Sequence, residues 1–171
     1  MKFTPHYFDG TEPFGSSFVS DLRVPGGSFE VPHDFMICRL YEPLGEQLGY
    51  FGTEEYTEDW NDDGVWACVG YPGDLSSGER PFVQLDCNFE DSESSGGGQV
   101  LETECDLGHG DSGGPFWAWF PDNDPRIVAV VSSEADFSTE IWPIVIHDHD
   151  NAAAGGADMV HLVDWARANW P

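Results

Sequence analysis

With 171 residues, of which 40% are hydrophobic and 14% aromatic, the chain is large enough to bury a core and is expected to form one domain or two small lobes. Its 32 acidic residues outnumber 6 basic ones and give a formal net charge of −26, which argues against nucleic acid or an anionic membrane as a partner and suits an extracellular or saline setting. No uninterrupted apolar stretch of about 18 residues occurs, so the sequence predicts no membrane span.

The N-terminal segment reads as short extended pieces separated by turns. Phe18, Ser20, Leu22 and Val24 alternate with polar or small residues, and this period of two residues predicts a strand over about 17–24. Residues 33–40 follow as an apolar run that opens with Asp34, which predicts a buried strand with a carboxylate at its start.

Two acidic segments invite a metal-site interpretation. Residues 54–64 hold six carboxylates, but their spacing lacks the EF-hand pattern, so we expect a solvated loop, with a calcium site as the alternative. The segment His147–Asp150 alternates histidine and aspartate, and alternate residues of an extended chain point to opposite sides. We therefore predict a loop there too, and no metal or other cofactor.

Four cysteines allow three pairings, which the sequence alone does not decide: Cys38, Cys68, Cys87 and Cys105. Cys38 and Cys68 lie in apolar segments and are expected to be buried free thiols. The polar stretch between Cys87 and Cys105 carries three glycines at its centre, which predicts two strands joined by a disordered-looking loop. A bridge that closes such a loop would contribute about 3 kcal/mol.

A glycine-rich motif, GHGDSGGP over residues 108–115, surrounds Ser112. Glycines on both sides permit a tight turn that exposes the hydroxyl and aims backbone N–H groups at a substrate oxygen. The plain alternative is a surface serine in a glycine turn. The motif also fits the nucleophile elbow of α/β-hydrolases, but residues 115–120 are strand-forming aromatics where that fold needs a helix, so we reject the elbow.

The last third of the chain predicts a hairpin and a helix. Residues 126–133 read as the second strand of a hairpin around the turn Pro121–Pro125. Residues 157–169 show apolar side chains at helical spacing, and Pro171 follows.

The hexapeptide GDSGGP resembles the nucleophile loop of the trypsin-like (chymotrypsin-fold) serine proteases. The segments EPLG (42–45), GYFG (49–52) and GYPGD (70–74) resemble, in this order, the glutamyl endopeptidase (V8-like) branch. The resemblance runs from about Phe3 to the C-terminus. It implies an all-β fold of two antiparallel β-barrel lobes of the chymotrypsin type, the first incomplete, with a C-terminal α-helix. The expected divisions are 1–55 for the first lobe, 56–64 for an acidic linker, 65–156 for the second lobe and 157–171 for the helix.

The resemblance implies a role for several residues. Ser112 would attack the scissile carbonyl of a polypeptide, the N–H groups of Gly110 and Ser112 would form the oxyanion hole, and Asp34 would orient a catalytic histidine. The plain reading of Asp34 is a turn residue that opens a strand. The resemblance also implies a bridge between Cys87 and Cys105, and an extracellular location follows if that bridge exists.

The substrate side is implied in the same way. Val131, Ser132 and Ser133 would run along the substrate backbone and line the S1 pocket, and His109 would flank its rim. Asp106 would lie near the pocket floor and favour a basic P1 side chain. Glutamyl-specific enzymes place a histidine in the strand 131–133, where this chain has none, so glutamyl specificity is not predicted.

The base is the incomplete part of this arrangement. The chain order of the resemblance puts the catalytic histidine before Asp34, where only His6 and His33 occur. On an extended strand the side chain of His33 would point away from that of the adjacent Asp34. His6 lacks the sequence context that the family shows around its catalytic histidine. We expect the catalytic histidine to be missing, so that the chain is an N-terminally truncated protease or an inactive, peptide-binding relative, and in either case a monomer.

Overall fold

The computed structural model describes residues 1–26, 30–133, 140–141, 144–145 and 151–170. Most of the regular structure is antiparallel strand, as the sequence predicts. The strands are β1 (Lys2–Phe3), β2 (Ser17–Arg23), β3 (Ile37–Leu40), β4 (Gly52–Thr53), β5 (Trp66–Gly70), β6 (Phe82–Cys87), β7 (Asp91–Ser95), β8 (Gly98–Thr103), β9 (Pro115–Trp119), β10 (Pro125–Ser133), β11 (Glu140–Ile141), β12 (Ile144–Val145) and β13 (Asn151–Gly155). The α-helices are α1 (Leu44–Leu48), α2 (Gly73–Ser76) and α3 (Ala157–Asn169), and 3₁₀ turns lie at Val31–His33 and Glu58–Trp60.

The N-terminal sheet has three strands in the order β1-β2-β3. The predicted buried strand over 33–40 is wrong in two respects. Only its first residue, His33, lies in the 3₁₀ turn, where Pro32 fixes a backbone angle that suits a turn; residues 34–36 have no regular structure, and β3 begins only at Ile37. All four residues of β3 are also only half-buried. On the neighbouring strand, Leu22, which pairs with Cys38, remains 55% exposed.

The larger sheet has eight strands, in the order β6-β5-β9-β10-β13-β8-β7, with β4 added parallel to β10. Within the described residues its backbone pairing does not close the ring between β6 and β7. The main core cluster lies on this sheet and is rich in aromatic residues and disulfide sulfur: Tyr56, Trp66, Cys87, Phe89, Leu101, Cys105, Phe116 and Val128 are among its members. The predicted hairpin around the turn at 121–125 is present as β9 and β10.

The segment between Cys87 and Cys105 is an ordered hairpin and not the disordered-looking loop that its polarity predicts. Gly96 and Gly97 form its turn with φ angles of 60° and 94°, which favour glycine. β8 is buried along its whole length because β7 and β13 pair with it on both sides. The two cysteines form a disulfide, with Cα atoms 5.6 Å apart.

The C-terminal helix α3 is present as predicted and packs between the two sheets. It buries Met159 and Leu162 in a second cluster with Phe35, which precedes β3. The guanidinium of Arg23 on β2 lies 3.6 Å from the ring centroid of Trp165 on α3. The helix therefore links the N-terminal sheet to the larger one.

The acidic run 54–64 is exposed at most of its carboxylates, but it is anchored from within. Tyr56 is 3% exposed and its hydroxyl donates a 2.7 Å hydrogen bond to Asn61. Trp60 packs edge-on against Tyr56 and Phe120. The division of the chain at 55, 64 and 156 stays a prediction. No helix among the described residues is long and apolar enough to cross a membrane.

Candidate active site

The loop that carries Ser112 is held by backbone hydrogen bonds to strand β10. Gly113 N–H donates to Val131 O, and Val131 N–H donates to Gly114 O, both at 2.8 Å. Within the loop, Asp111 N–H donates to Gly108 O at 3.0 Å and Gly114 N–H donates to Asp111 O at 2.7 Å. The loop then runs into β9, so a strand follows Ser112, as the sequence predicts, and not the helix of an α/β-hydrolase.

Two backbone donors of this loop remain unused. Gly108, Asp111, Gly113 and Gly114 all donate their N–H groups, whereas within the described part of the chain those of Gly110 and Ser112 have no protein acceptor. Ser112 itself is exposed. The arrangement therefore presents a hydroxyl beside two N–H groups that are available to a negatively charged oxygen.

Asp111 lies under the loop and is 6% exposed. Its Oδ2 accepts a 2.9 Å hydrogen bond from Gly108 N–H, while Oδ1 has no partner among the described residues. Gly70 makes room for this carboxylate, because a Cβ atom at position 70 would overlap Oδ1. Burial, reinforced by the nearby Asp111 charge, raises the pKa of the adjacent Cys68 thiol to about 12.

Asp34, which precedes β3 in the N-terminal segment, contacts strand β10. Its Oδ2 accepts a 2.8 Å hydrogen bond from the Ser132 hydroxyl. Ser132 follows Val131, whose backbone binds the two glycines after Ser112. The structure therefore brings Asp34 and the serine loop to neighbouring residues of β10.

The histidines of the N-terminal segment make other contacts. His33 Nε2 lies 3.2 Å from Asp158 Oδ2, whereas Asp34 accepts its hydrogen bond from Ser132. His6 is exposed, has a φ of 53° and packs edge-on against Phe14. His147 and His149 lie outside the described residues, and so does the metal-like segment they belong to. Among the described residues no cluster suited to a metal ion occurs.

The four residues of the β10 strand and the serine loop that are predicted to bind substrate differ in the exposure of their side chains. Val131 is 4% exposed and its side chain belongs to the main core cluster, so only its backbone faces the serine loop. Ser132 and Ser133 are half-buried, and His109 is exposed. The substrate roles of these four residues stay predictions.

Asp106 is exposed and lines a cavity of about 700 Å³ beside the serine loop. Its backbone N–H donates a 2.8 Å hydrogen bond to the side-chain oxygen of Gln84 on β6. The cavity is also lined by Cys68 and Asp111. Its walls are thus acidic at three positions, Asp74, Asp106 and Asp111, and include the polar residues Gln84 and Asn151 beside apolar ones.

Sequence reasoning missed two features of this site. The Ser132–Asp34 contact joins residues 98 positions apart, and no local pattern signals it. The burial of Asp111 was equally unforeseen, although an aspartate enclosed by glycines and apolar strands was a usable signal. Gly70, just ahead of a turn, was a second usable signal of the same burial.

Comparison with known proteins identifies the fold of this chain. No family model matches the sequence, and no curated protein matches it. Solved structures similar to this chain include a Glu endopeptidase in complex with MPD, with a TM-score of 0.73 at 18% identity, covering 98% of this chain and 72% of that one. Protease Anisep from Arthrobacter nicotinovorans has a TM-score of 0.59 at 16% identity, covering 91% of this chain and 68% of that one. The chain has the chymotrypsin-type fold.

Three residues of the site, Asp34, Ser112 and Ser132, come from separate segments of this fold. Asp34 lies in the N-terminal segment before β3, Ser132 lies in β10 of the larger sheet, and Ser112 lies in the loop between strands β8 and β9 of that sheet. The Ser132–Asp34 hydrogen bond joins the N-terminal segment to the larger sheet. A site assembled from separate segments in this way depends on the packing that holds the sheets together.

Proposed function

We propose that Ser112 is the nucleophile of a serine endopeptidase that cleaves polypeptides through an acyl-enzyme, with Asp34 orienting a catalytic histidine that is not among the histidines of this chain. One observation carries the proposal: an exposed serine lies beside the two loop N–H groups, of Gly110 and Ser112, that have no acceptor among the described residues. The similarity of fold to two proteases supports it. The position of Asp34, bonded to the strand that holds the serine loop, supports it further.

The proposed reaction uses these groups in sequence. Ser112 Oγ attacks the carbonyl carbon of the scissile bond and gives up its proton to an imidazole base. The N–H groups of Gly110 and Ser112 receive the negative charge that develops on the carbonyl oxygen. The amine leaves with the proton from the base, and water then hydrolyses the acyl-enzyme by the same route.

In this scheme Asp34 orients the imidazole and stabilises its charged form. The contacts of His33 with Asp158 and of His6 with Phe14 assign neither of them this task. The reaction nevertheless requires a base within reach of Ser112. Without it, the Ser112 hydroxyl stays protonated at neutral pH and reacts slowly.

The test is labelling by a fluorophosphonate probe. Ser112 Oγ would bond to phosphorus as the P–F bond breaks, fluoride leaves and the hydroxyl proton passes to the base. We expect labelling to disappear in Ser112→Ala and to persist in Ser94→Ala, which changes another exposed serine on the edge strand β7. Single His→Gln variants at all six histidines would then show whether any of them serves as the base, against the expectation that the catalytic histidine is missing. Labelling that is equal in Ser112→Ala and the parent chain contradicts the proposal.

The alternative is a peptide-binding module without peptidase activity. The contacts made by His6 and His33 favour it, because neither includes Asp34 or Ser112. Such a module would bind a peptide library, leave it uncleaved and resist the probe. Cleavage that depends on Ser112 excludes it.

We also propose an extracytoplasmic location for the chain. The disulfide between Cys87 and Cys105 supports it, since such bonds persist in oxidising compartments. A preference for basic P1 residues at Asp106 remains a prediction. Profiling cleavage products by mass spectrometry, with Asp106→Asn beside the parent chain, tests that preference.

A further inference from the structure

The turn that follows β5 packs directly on the serine loop. Gly73 N–H donates a 2.7 Å hydrogen bond to the backbone oxygen of His109. A Cβ atom at Gly110 would overlap the carbonyl oxygen of Tyr71, and a Cβ atom at Gly73 would lie 3.2 Å from His109 O. Glycine at position 110 is therefore what allows the two backbones to approach this closely.

This contact fixes the direction of one peptide group. In a trans peptide the C=O and N–H groups point in opposite directions. Because the C=O of His109 points at Gly73, the N–H of Gly110 points away from the turn. That N–H is one of the two donors without an acceptor in the described part of the chain.

The local sequence does not enforce this direction. Gly110 has a φ of 111°, and glycine adopts positive and negative φ values with similar ease. The peptide between His109 and Gly110 can therefore rotate at low cost, and the rotated form would present a carbonyl oxygen where the oxyanion needs a donor. A hydrogen bond from outside the loop is needed to hold the productive form.

We infer that Gly73 is a positioning residue: its backbone N–H holds the His109–Gly110 peptide so that Gly110 can act as an oxyanion donor. The inference rests on the proposed function, since it concerns the same site. It assigns a task to the turn 71–74, which has no other part in the proposed chemistry.

The variant Gly73→Pro tests it, because proline has no N–H to donate. Position 73 is the first residue of α2, where proline is well tolerated, and Pro72 already has φ and ψ of −63° and 132°, which suit a residue before proline. Gly73→Ala is the matched control, since it keeps the N–H and adds a Cβ atom 3.2 Å from His109 O, a contact that proline at this position makes as well.

We expect Gly73→Pro to label with the fluorophosphonate about 100-fold more slowly than the parent chain, the effect of losing one oxyanion donor. On an ester substrate kcat should fall while KM stays unchanged. Gly73→Ala should remain within about threefold of the parent chain, because it keeps the donor. The trans-hydrogen-bond NMR coupling between Gly73 N and the His109 carbonyl carbon should be present in the parent chain and in Gly73→Ala.

The outcomes separate the two proposals. A parent chain that fails to label at Ser112 overturns the proposed function, and the positioning role with it. A parent chain that labels while Gly73→Pro labels equally fast overturns only the positioning role. Equal losses in the proline and alanine variants also overturn it, because the N–H is then not the group that matters.

Discussion

Ser132 donates a 2.8 Å hydrogen bond to Oδ2 of Asp34, across 98 positions of the chain. The bond fixes one oxygen of the carboxylate that is proposed to orient the base. It also ties the segment before β3 to the strand that holds the serine loop, since Val131, next to Ser132, bonds both Gly113 and Gly114. Geometry at Ser112 and geometry at Asp34 are thus linked through one strand.

The variant Ser132→Ala should weaken that link. We expect slower fluorophosphonate labelling of Ser112, because Asp34 loses the donor that fixes its orientation. The free energy of unfolding should fall by about 1 kcal/mol or less, the usual contribution of one hydrogen bond. Chemical denaturation measures the second effect, and Ser94→Ala, which changes an exposed serine outside the predicted substrate-binding strand, is the control. Unchanged labelling in Ser132→Ala would show that the contact does not serve the site.

Removal of the disulfide should destabilise the chain. Cys87 and Cys105 are 18 positions apart and close the β7–β8 hairpin. The double variant Cys87→Ala/Cys105→Ala should lose about 3 kcal/mol of unfolding free energy, because its unfolded chain regains the entropy of the open loop. Urea denaturation of this variant, and of the parent chain with and without reductant, is the measurement. Cys38→Ala is the control, and an equal loss in that variant would contradict the prediction.

Local patterns predicted the strands and the helix better than the contacts between them. The β9–β10 hairpin and α3 follow from turn residues and from periodicity, and both are present. The strand that follows Ser112 was predictable because aromatic residues favour strands. These features depend on neighbours in sequence, which a single chain displays directly.

Other features depend on partners distant in sequence. β8 looks polar and loop-like, yet it is buried because β7 and β13 enclose it. β3 looks apolar and buried, yet it is half-exposed because one face of its sheet has little cover. The Ser132–Asp34 bond and the Gly73 contact with the serine loop likewise arise only when separate segments meet.

The charge of the chain predicts a response to salt. A net charge of −26 destabilises the folded state by self-repulsion, and ions screen that repulsion. We expect the urea midpoint to rise between about 0.05 and 1 M NaCl, where the screening length falls from well over 10 Å to about 3 Å.

A variant of the acidic run provides the control for this effect. Glu58→Gln, Asp59→Asn, Asp62→Asn and Asp63→Asn together neutralise four exposed carboxylates and change the net charge from −26 to −22. Its midpoint should be higher at low salt and should rise less steeply with salt. A parent chain whose midpoint is insensitive to NaCl would contradict the electrostatic explanation.

The buried thiol of Cys68 should make the chain lose stability at alkaline pH. Burial raises the pKa of this thiol from 9.0 to about 12 in the folded chain, whereas an unfolded chain keeps the lower value. Below pH 9 both states hold the proton, and the contribution of Cys68 is constant. Between pH 9 and 12 only the unfolded chain releases it, so the free energy of unfolding falls by up to about 1.4 kcal/mol per pH unit.

Urea denaturation from pH 8 to pH 10.5 should therefore show a shallower decline in Cys68→Ala than in the parent chain. Val69→Ala, a neighbour on β5 that keeps the thiol, should retain the parent slope even if its overall stability is lower. Equal slopes in the parent chain and Cys68→Ala would mean that Cys68 ionises in the folded state as it does in the unfolded one.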